Sequence, residues 1–327
     1  MSKAKATWSN NWMSGIANGT SVTGISIPGT HESCARHGGA QTECQWFSII
    51  QQLNRGIRFL DIRCRYEADS NSGRTQGIYF PIHHASEFQK IFFEEVQSQC
   101  VDFLNNNPTE FILMNVQMEY EGDGDAFRRK FLELIAPYQA RHWYLKNTIP
   151  TLDSSLRGRI VLVRAHDSSN GKGWAKGPDS EWPDGASGGG LAWNGFNTNG
   201  DSSNATFETQ NAWSSISGTD KGAKVEEYIK AANGNAANGR ITLNFASYSS
   251  IRGPGLNAED MNHRLQGFLQ GTAPNGKWGA LGVIPIDFVG NTGDSGASLE
   301  NLIIEHQPHQ VDATYCGVAS WLAKASA

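Results

Sequence analysis

The stretch Ile25-Ser26-Ile27-Pro28-Gly29-Thr30-His31-Glu32-Ser33, followed by Phe59-Leu60-Asp61-Ile62-Arg63 and then Ile82-His83-His84, decides the reading of this chain. Each segment is a short apolar run that ends in an imidazole or charged side chain. Runs of this length read as strands, and strands that deliver ionisable groups at their C-terminal ends are those of a parallel barrel, whose βα loops build the site on one rim. Two histidines and an arginine on one rim suit phosphoryl transfer: a general base, a general acid and a fixed cation for the phosphate oxygens.

Outward from these segments, helix and strand patterns alternate as in βα repeats. Helical spacing runs from Gln45 to Leu53, with Trp46, Ile49, Ile50 and Leu53 on one face, and a strand follows from Ile57 to Ile62. A helix from Phe92 to Leu104 stops before Asn105-Asn106-Asn107-Pro108, and the strand Phe111 to Val116 comes next. The pattern continues with a helix at Phe127 to Ile135, a strand at Ile160 to Val163, a helix at Val225 to Ala232 and a strand at Ile241 to Phe245. A helix at Glu259 to Leu269, a strand at Val283 to Ile286 and a helix at Leu299 to Glu305 complete it, with one more strand expected near Thr206 to Trp213. Between Arg63 and a strand near Ile78 the residues are mostly polar or glycine, with no helical pattern to cover the sheet. The expected fold class is therefore α/β: a distorted or incomplete (β/α)8 TIM barrel, a single domain over residues 1–327. Residues 168–204, rich in Gly, Ser, Asn and Trp, are expected to be a rim loop insertion.

Composition sets the outer bounds. A chain of 327 residues, 39% hydrophobic, fits one barrel and leaves little for a second domain. A net charge of -5 argues against nucleic acid as the main partner. No window holds the ~18 apolar residues a membrane span needs. The first residues, Met1 to Thr7, have no apolar signal-peptide core. The expectation is a secreted protein whose signal is absent from this sequence, with a cytoplasmic location as the alternative. No heptad or apolar stripe indicates an oligomer, so a monomer is expected.

Five cysteines in no CxxC arrangement (Cys34, Cys44, Cys64, Cys100, Cys316) give neither a zinc signature nor a disulfide-dense scaffold. Cys34 and Cys44 flank a short loop, and a bridge there would staple the segment beside His31 in an exported protein; buried or free thiols are the alternative. Other motifs fail on inspection. Glu121 to Asp125 suggests a calcium loop, but Ala126 and Leu132 replace the required glycine and glutamate. Pro308 between His306 and His309 breaks a helical ligand face, His166-Asp167 lacks companion ligands, and the glycine run 188–190 lacks a strand–turn–helix context. His83 reads as a bystander.

The order and wording of the segments resemble the bacterial phosphatidylinositol-specific phospholipases C of the metal-independent type. Similar stretches recur in order at Glu110 to Asn115, Gly158 to Arg164, Leu243 to Ser247 and Val283 to Asp287. The resemblance implies a phosphatidylinositol diacylglycerol-lyase that cleaves phosphatidylinositol to diacylglycerol and inositol 1,2-cyclic phosphate. His31 would take the proton from the inositol 2-hydroxyl, which attacks the adjacent phosphorus. His84 would protonate the departing oxygen, and slower hydrolysis of the cyclic product would reverse the two roles. Asp287 would hold His31 in the right tautomer. Arg63 stands where calcium-dependent relatives present an acidic residue; a guanidinium there binds a phosphate oxygen and repels a cation, so no metal or other cofactor is expected. Asp61, on the same strand face, can orient Arg63 or touch His31.

The same resemblance implies a headgroup set of Asp61, Gln117, Glu119, Arg164, Asn211 and Trp213. Several positions depart from the family pattern. Glu32 replaces the aspartate expected to pair with the acid histidine, and Gln117 replaces a lysine of the inositol pocket. Asn211 and Trp213 replace an aspartate and a tyrosine that bind and stack on the ring, and Ala85 follows His84 where glycine is usual. The implied partners are phosphatidylinositol or its glycosylated forms on a transiently contacted membrane, with Trp46 as an interfacial anchor or, alternatively, a barrel core residue. Two competing readings are a related barrel phosphodiesterase, cleaving glycerophosphodiesters or sphingomyelin, and a non-catalytic inositol-lipid headgroup-binding protein. Taken singly, Asp61 and Arg63 also read as a structural ion pair, and Trp213 as packing.

Overall fold

A computed structural model describes residues 10–65, 80–119, 124–145, 150–166, 192–194, 201–203, 207–273, 278–290 and 298–308. The strands are β1 (Ile27–Thr30), β2 (Phe59–Cys64), β3 (Pro81–His84), β4 (Glu87–Phe92), β5 (Ile112–Met118), β6 (Trp143–Tyr144), β7 (Ile160–His166), β8 (Ala192–Asn194), β9 (Asp201–Ser203), β10 (Phe207–Gln210), β11 (Ile241–Asn244) and β12 (Val283–Ile286). They form one sheet in the order β6-β7-β5-β2-β1-β12-β11-β10-β9. From β7 across to β10 every neighbouring pair is parallel. The first strand thus sits between β2 and the last, which brings the two ends of the chain's pattern onto one rim. The helices α1 (Ile49–Asn54), α2 (Phe93–Asn106), α3 (Gly124–His142), α4 (Gly218–Ala237), α5 (Gly253–Gln270) and α6 (Leu299–Glu305) supply the outer layer.

This is the expected α/β architecture, a distorted (β/α)8 barrel. The distortion lies where the sequence lacks a helical pattern. After β2 the chain returns as β3, antiparallel to β2 through Cys64 and Ile82, and forms a hairpin with β4 before α2 leads to β5. The strand expected near Thr206 to Trp213 is β10, paired in register with β11. The expected rim insertion 168–204 lies, apart from β8 and β9, outside the described residues, as do residues 121–123, 188–190, His309 and Cys316.

The period-2 pattern of the strands sorts side chains into two cores. Phe59, Leu113, Val161, Val163, Leu243 and Val283 pack together inside the barrel with Trp12, Met13 and Ile16 from the N-terminal segment. Leu60, Ile62, Ile112, Met114, Ile160, Leu162 and Ile284 pack outward under the helices. Gly29 of β1 lies so close to Phe59 that an added Cβ would stand 2.9 Å from the Phe59 ring, so only glycine lets β1 and β2 approach here. Beneath the site, Arg58 and Glu110 form a fully buried ion pair at 2.8 Å that also ties down the N-terminal segment through Met13 N–H and the Asn10 carbonyl.

One helix start differs from the expectation. The pattern from Gln45 predicted a helix that includes Trp46, but α1 begins at Ile49, after Ser48 donates its backbone N–H to the Gln51 side chain at 2.9 Å. Gln45 is drawn away to bond the His31 and Ile286 carbonyls. Trp46 therefore lies in the loop ahead of α1, 56% exposed, and the barrel-core alternative is excluded. Of the two readings of Cys34 and Cys44, the structure shows buried, free thiols and not the staple. The thiols of Cys64 and Cys100 are likewise free and buried. Cys34 packs in the outer core with Cys64 and Cys100, whereas Cys44 turns toward the Thr42 carbonyl and His84.

Candidate active site

The inner parity of each strand continues past its apolar part to the rim. On β2 the residues after Phe59 on that face are Asp61 and Arg63; on β5 Asn115 and Gln117 follow Leu113, in register with them. His31 immediately follows β1, its N–H bonded to the Ile286 carbonyl at 3.1 Å, and Asp287 immediately follows β12. Their side chains meet: His31 Nδ1 lies 2.9 Å from Asp287 Oδ1, and the carboxylate is 4% exposed. A carboxylate accepts only, so Nδ1 carries the ring proton of the neutral imidazole and Nε2 keeps a lone pair.

Supporting bonds fix this pair from behind. Gln45, buried, donates from one amide nitrogen to the His31 and Ile286 carbonyls, each at 2.9 Å. Asn262 of α5 donates to the Asp287 carbonyl at 2.9 Å, and the Phe245 ring meets the His31 ring edge-on with centroids 6.1 Å apart. The turn after His31 is pinned to β2: Ser33 N–H donates to the Asp61 carbonyl, Asp61 N–H to Ser33 Oγ at 2.8 Å, and Glu32 N–H to Asp61 Oδ2 at 3.2 Å.

Arg63 is held by two carboxylates, Glu32 at 2.6 Å and Asp61 at 3.2 Å. Asp61 also accepts from Asn115 Nδ2 at 2.8 Å. Burial would raise the Asp61 carboxyl, but the Arg63 guanidinium, His31 and the bonds from Glu32 and Asn115 hold it below its ordinary value. Glu32 goes the other way: burial, with Glu119, Asp61 and Asp287 nearby, pushes it well above the usual carboxylate range against the pull of Arg63. Burial disfavours the charge on Arg63 too, yet Glu32, Asp61 and Glu119 more than offset it, so the guanidinium stays charged.

His84 ends β3. Its Nδ1 donates to the Thr42 carbonyl at 2.7 Å, which leaves Nε2 pointing toward Glu32 Oε1 at 3.8 Å. That separation is too long for a hydrogen bond. Burial first, then Arg63 and His31, lower His84 to about 4. Glu119 accepts from the Ala85 N–H at 3.1 Å and so ties the His84 turn to the end of β5; burial raises its carboxyl despite Arg63. Glu32 (φ 43°), Ala85 (φ 49°) and Phe288 (φ 50°), the residues just after His31, His84 and Asp287, all adopt left-handed backbone.

Of the residues expected from sequence, His31, Glu32, Asp61, Arg63, His84, Glu119 and Asp287 gather in one charged cluster, with Gln117 paired beside Arg63. Asn211, buried, and Trp213, 39% exposed, stand just past the C-terminal end of β10. Arg164 pairs its backbone with Val116, and its side chain lies outside the described residues. His83, read as a bystander, is buried with its ring against Phe88 at 5.6 Å. The sequence reading missed Gln45, Asn115, Asn262 and the Thr42 carbonyl. Asn115 carried a signal, a lone amide of inner parity in an apolar strand; the others act through loop and helix packing that no local pattern encodes.

Residues 26–165 match the description "Phosphatidylinositol-specific phospholipase C, X domain". The match covers less than half of the chain. A "1-phosphatidylinositol phosphodiesterase" of Listeria monocytogenes serovar 1/2a is 31% identical over 166 residues, 46% of this chain and 47% of that protein. One of the same description from Staphylococcus aureus strain Newman is 29% identical over 163 residues, 46% of this chain and 49% of that protein. The chain's match thus spans about half the length of these curated relatives. The barrel as a whole superposes on the structure of a mutant phosphatidylinositol-specific phospholipase C from S. aureus, with a TM-score of 0.75 and 20% identity over 94% of this chain and 100% of that one. The L. monocytogenes phosphatidylinositol-specific phospholipase C gives 0.69 and 23% over 91% and 98%. The likeness in fold extends through the second half of the barrel, where β10 to β12 and Asp287 lie beyond the matched X domain.

Proposed function

We propose that this protein cleaves phosphatidylinositol, or its glycosylated forms, to diacylglycerol and inositol 1,2-cyclic phosphate without a metal. The observation that carries this reading is a guanidinium held by two carboxylates, with His31 backed by Asp287 at 2.9 Å and His84 Nε2 3.8 Å from Glu32, one of the carboxylates that hold Arg63. His31 Nε2, its lone pair kept free by the Nδ1 bond, accepts the 2-hydroxyl proton as that oxygen attacks phosphorus. Arg63 holds the phosphoryl oxygens as charge builds on them. His84 Nε2 gives a proton to the departing glycerol oxygen, while Thr42 fixes its ring. Each histidine contributes roughly 100- to 10,000-fold in rate. Gln117, Glu119, Asn211, Trp213 and Arg164 supply the headgroup contacts.

Substrate in a bilayer requires the rim to touch a membrane surface transiently, in a monomeric and, by family resemblance, exported protein. Trp46 supports this: it stands exposed on the site's rim with its ring 5.0 Å from Phe288, the residue after Asp287. Exposed Ile251 lies on the loop after β11, tied to the 38–45 loop through Gln41 and the Ile251 carbonyl. Among the described residues no helix is long and apolar enough to cross a membrane. The test is incubation with phosphatidylinositol vesicles in chelator, followed by phosphorus NMR, with His31→Ala as control. A cyclic phosphate signal that vanishes in the variant is expected. Turnover only on adding calcium overturns the role of Arg63, and none under either condition overturns the substrate.

A further inference from the structure

The loop between β1 and α1 places a thiol that the proposed reaction does not use beside the catalytic base. Cys44 is fully buried, with Sγ 3.5 Å from the Thr42 carbonyl and 3.9 Å from His84 Nδ1. One ligand atom each from His31, Cys44 and Asp287 lie within 4.8 Å of one another. Among the described residues no other group of His, Cys, Asp or Glu converges in this way.

We propose that His31, Cys44 and Asp287 form an inhibitory site for a thiophilic divalent cation of the Zn2+ or Cd2+ class. A nitrogen, a sulfur and a carboxylate oxygen are the donor set of borderline-soft metals, not of calcium or magnesium. Zinc bonds of about 2.0–2.3 Å at tetrahedral angles put ligand atoms roughly 3.5 Å apart. The His31–Asp287 pair, now 2.9 Å apart, has to open slightly, and the wider pairs have to close by on the order of 1 Å, within reach of side-chain adjustment. Partly exposed His31 leaves the fourth position open to water, as in zinc sites with three protein ligands. The Arg63 guanidinium is already engaged by Glu32 and Asp61, which offsets its repulsion of a cation.

Binding balances without an oxidant or reductant. The Cys44 S–H bond breaks, its proton leaves to solvent and a sulfur–metal bond forms. The imidazole proton of His31 moves from Nδ1 to Nε2 as Nδ1 takes the metal. The lone pair needed to deprotonate the 2-hydroxyl is then gone, so the cation stops turnover by tautomer rather than by filling the substrate pocket. The inhibition rests on the lipase reading above; the binding does not.

The test titrates Zn2+, and separately Co2+, into the wild-type protein, Cys44→Ser and Cys44→Ala. It is read by calorimetry, by the near-ultraviolet absorption of a cobalt–thiolate bond, and by phosphatidylinositol turnover in parallel. Wild type should bind one equivalent, show the thiolate band and lose turnover, and chelator should restore it. The Cys44 variants should turn over normally without metal, lack the band, and bind zinc more weakly by more than the roughly 10–100-fold that a supporting residue alone costs. A wild type without the band, or a Cys44 variant that binds zinc as tightly, overturns the site. Failure of turnover in metal-free wild type would count against the lipase reading alone, because calorimetry and the cobalt band still decide whether the site exists.

Discussion

A bound phosphate should recharge His84. In the free protein, burial and then Arg63 and His31 hold this imidazole at about 4. At pH 7 only about one molecule in a thousand then carries the proton an acid must donate. The substrate itself supplies the correction. A phosphate monoanion about 4 Å from the ring, at an effective dielectric constant of about 20, contributes about 4 kcal/mol. At about 1.4 kcal/mol per pK unit that is roughly three units, enough to let His84 hold its proton near neutral pH. The same anion occupies Arg63 and weakens its repulsion of the imidazolium. The assay is a nitrogen-15 histidine titration of the protein alone and saturated with inositol 1-phosphate. The free ring should titrate at about 4, and the bound ring should rise by roughly two to three units. A free His84 that titrates in the ordinary histidine range refutes the burial argument. A bound His84 that stays at its free value while other site resonances report saturation refutes substrate-assisted protonation.

The same depressed pKa predicts acid sensitivity. The unfolded chain binds the His84 proton near 6.5 and the folded one only near 4, so this stabilisation is complete above the unfolded value and is lost as pH falls through the folded one. About 3 kcal/mol of it should disappear across that window in urea titrations, and His84→Ala should flatten the slope. Asp287→Asn keeps the shape of the base pair but removes the acceptor that fixes the His31 tautomer; kcat should fall on the order of 100- to 10,000-fold with KM little changed, and an unchanged kcat would deny Asp287 its role. Trp46→Ala should keep turnover of a soluble inositol phosphodiester and lose it on vesicles, whereas equal loss on both would rule out an interfacial anchor. Ala85→Gly relieves left-handed backbone at a side chain that no bond uses and should raise stability by about 0.5–1 kcal/mol, measured as a shift in urea midpoint.

The barrel was legible because its signal is periodic and local. Inner parity on β2 and β5 reads directly from Phe59, Asp61 and Arg63 against Leu113, Asn115 and Gln117, and the register observed is the one that parity requires. The residues at strand ends were legible for the same reason, since an ionisable group that closes an apolar run has few places to go but the rim. What stayed hidden depends on side chains reaching backbone far away in sequence. Gln45 looked like the first turn of a helix because its neighbours have helical spacing, yet its amide bonds the His31 and Ile286 carbonyls instead. The Cys34–Cys44 bridge failed on direction: spacing permitted it, but one thiol packs under the helices and the other faces the site.

The left-handed residues show how the rim is built. An extended strand carried one residue further would send its chain outward along the barrel axis, and the last inner side chain would splay with it. A left-handed residue turns the chain sharply at that point, and it stands immediately after His31, after His84 and after Asp287. Each turn costs of order 1–3 kcal/mol in a non-glycine residue, which the surrounding bonds must hold in place. Two of the three have a reason not to be glycine. Glu32 reaches Arg63 at 2.6 Å, and Phe288 packs against Trp46. Ala85 offers only a methyl group, so the strain there has no side-chain contact to offset it, while its N–H still anchors Glu119. Backbone conformation at Glu32 and Phe288 is therefore coupled to side chains the site uses, and glycine at either position should relax the turn yet lower activity or vesicle binding, unlike glycine at Ala85.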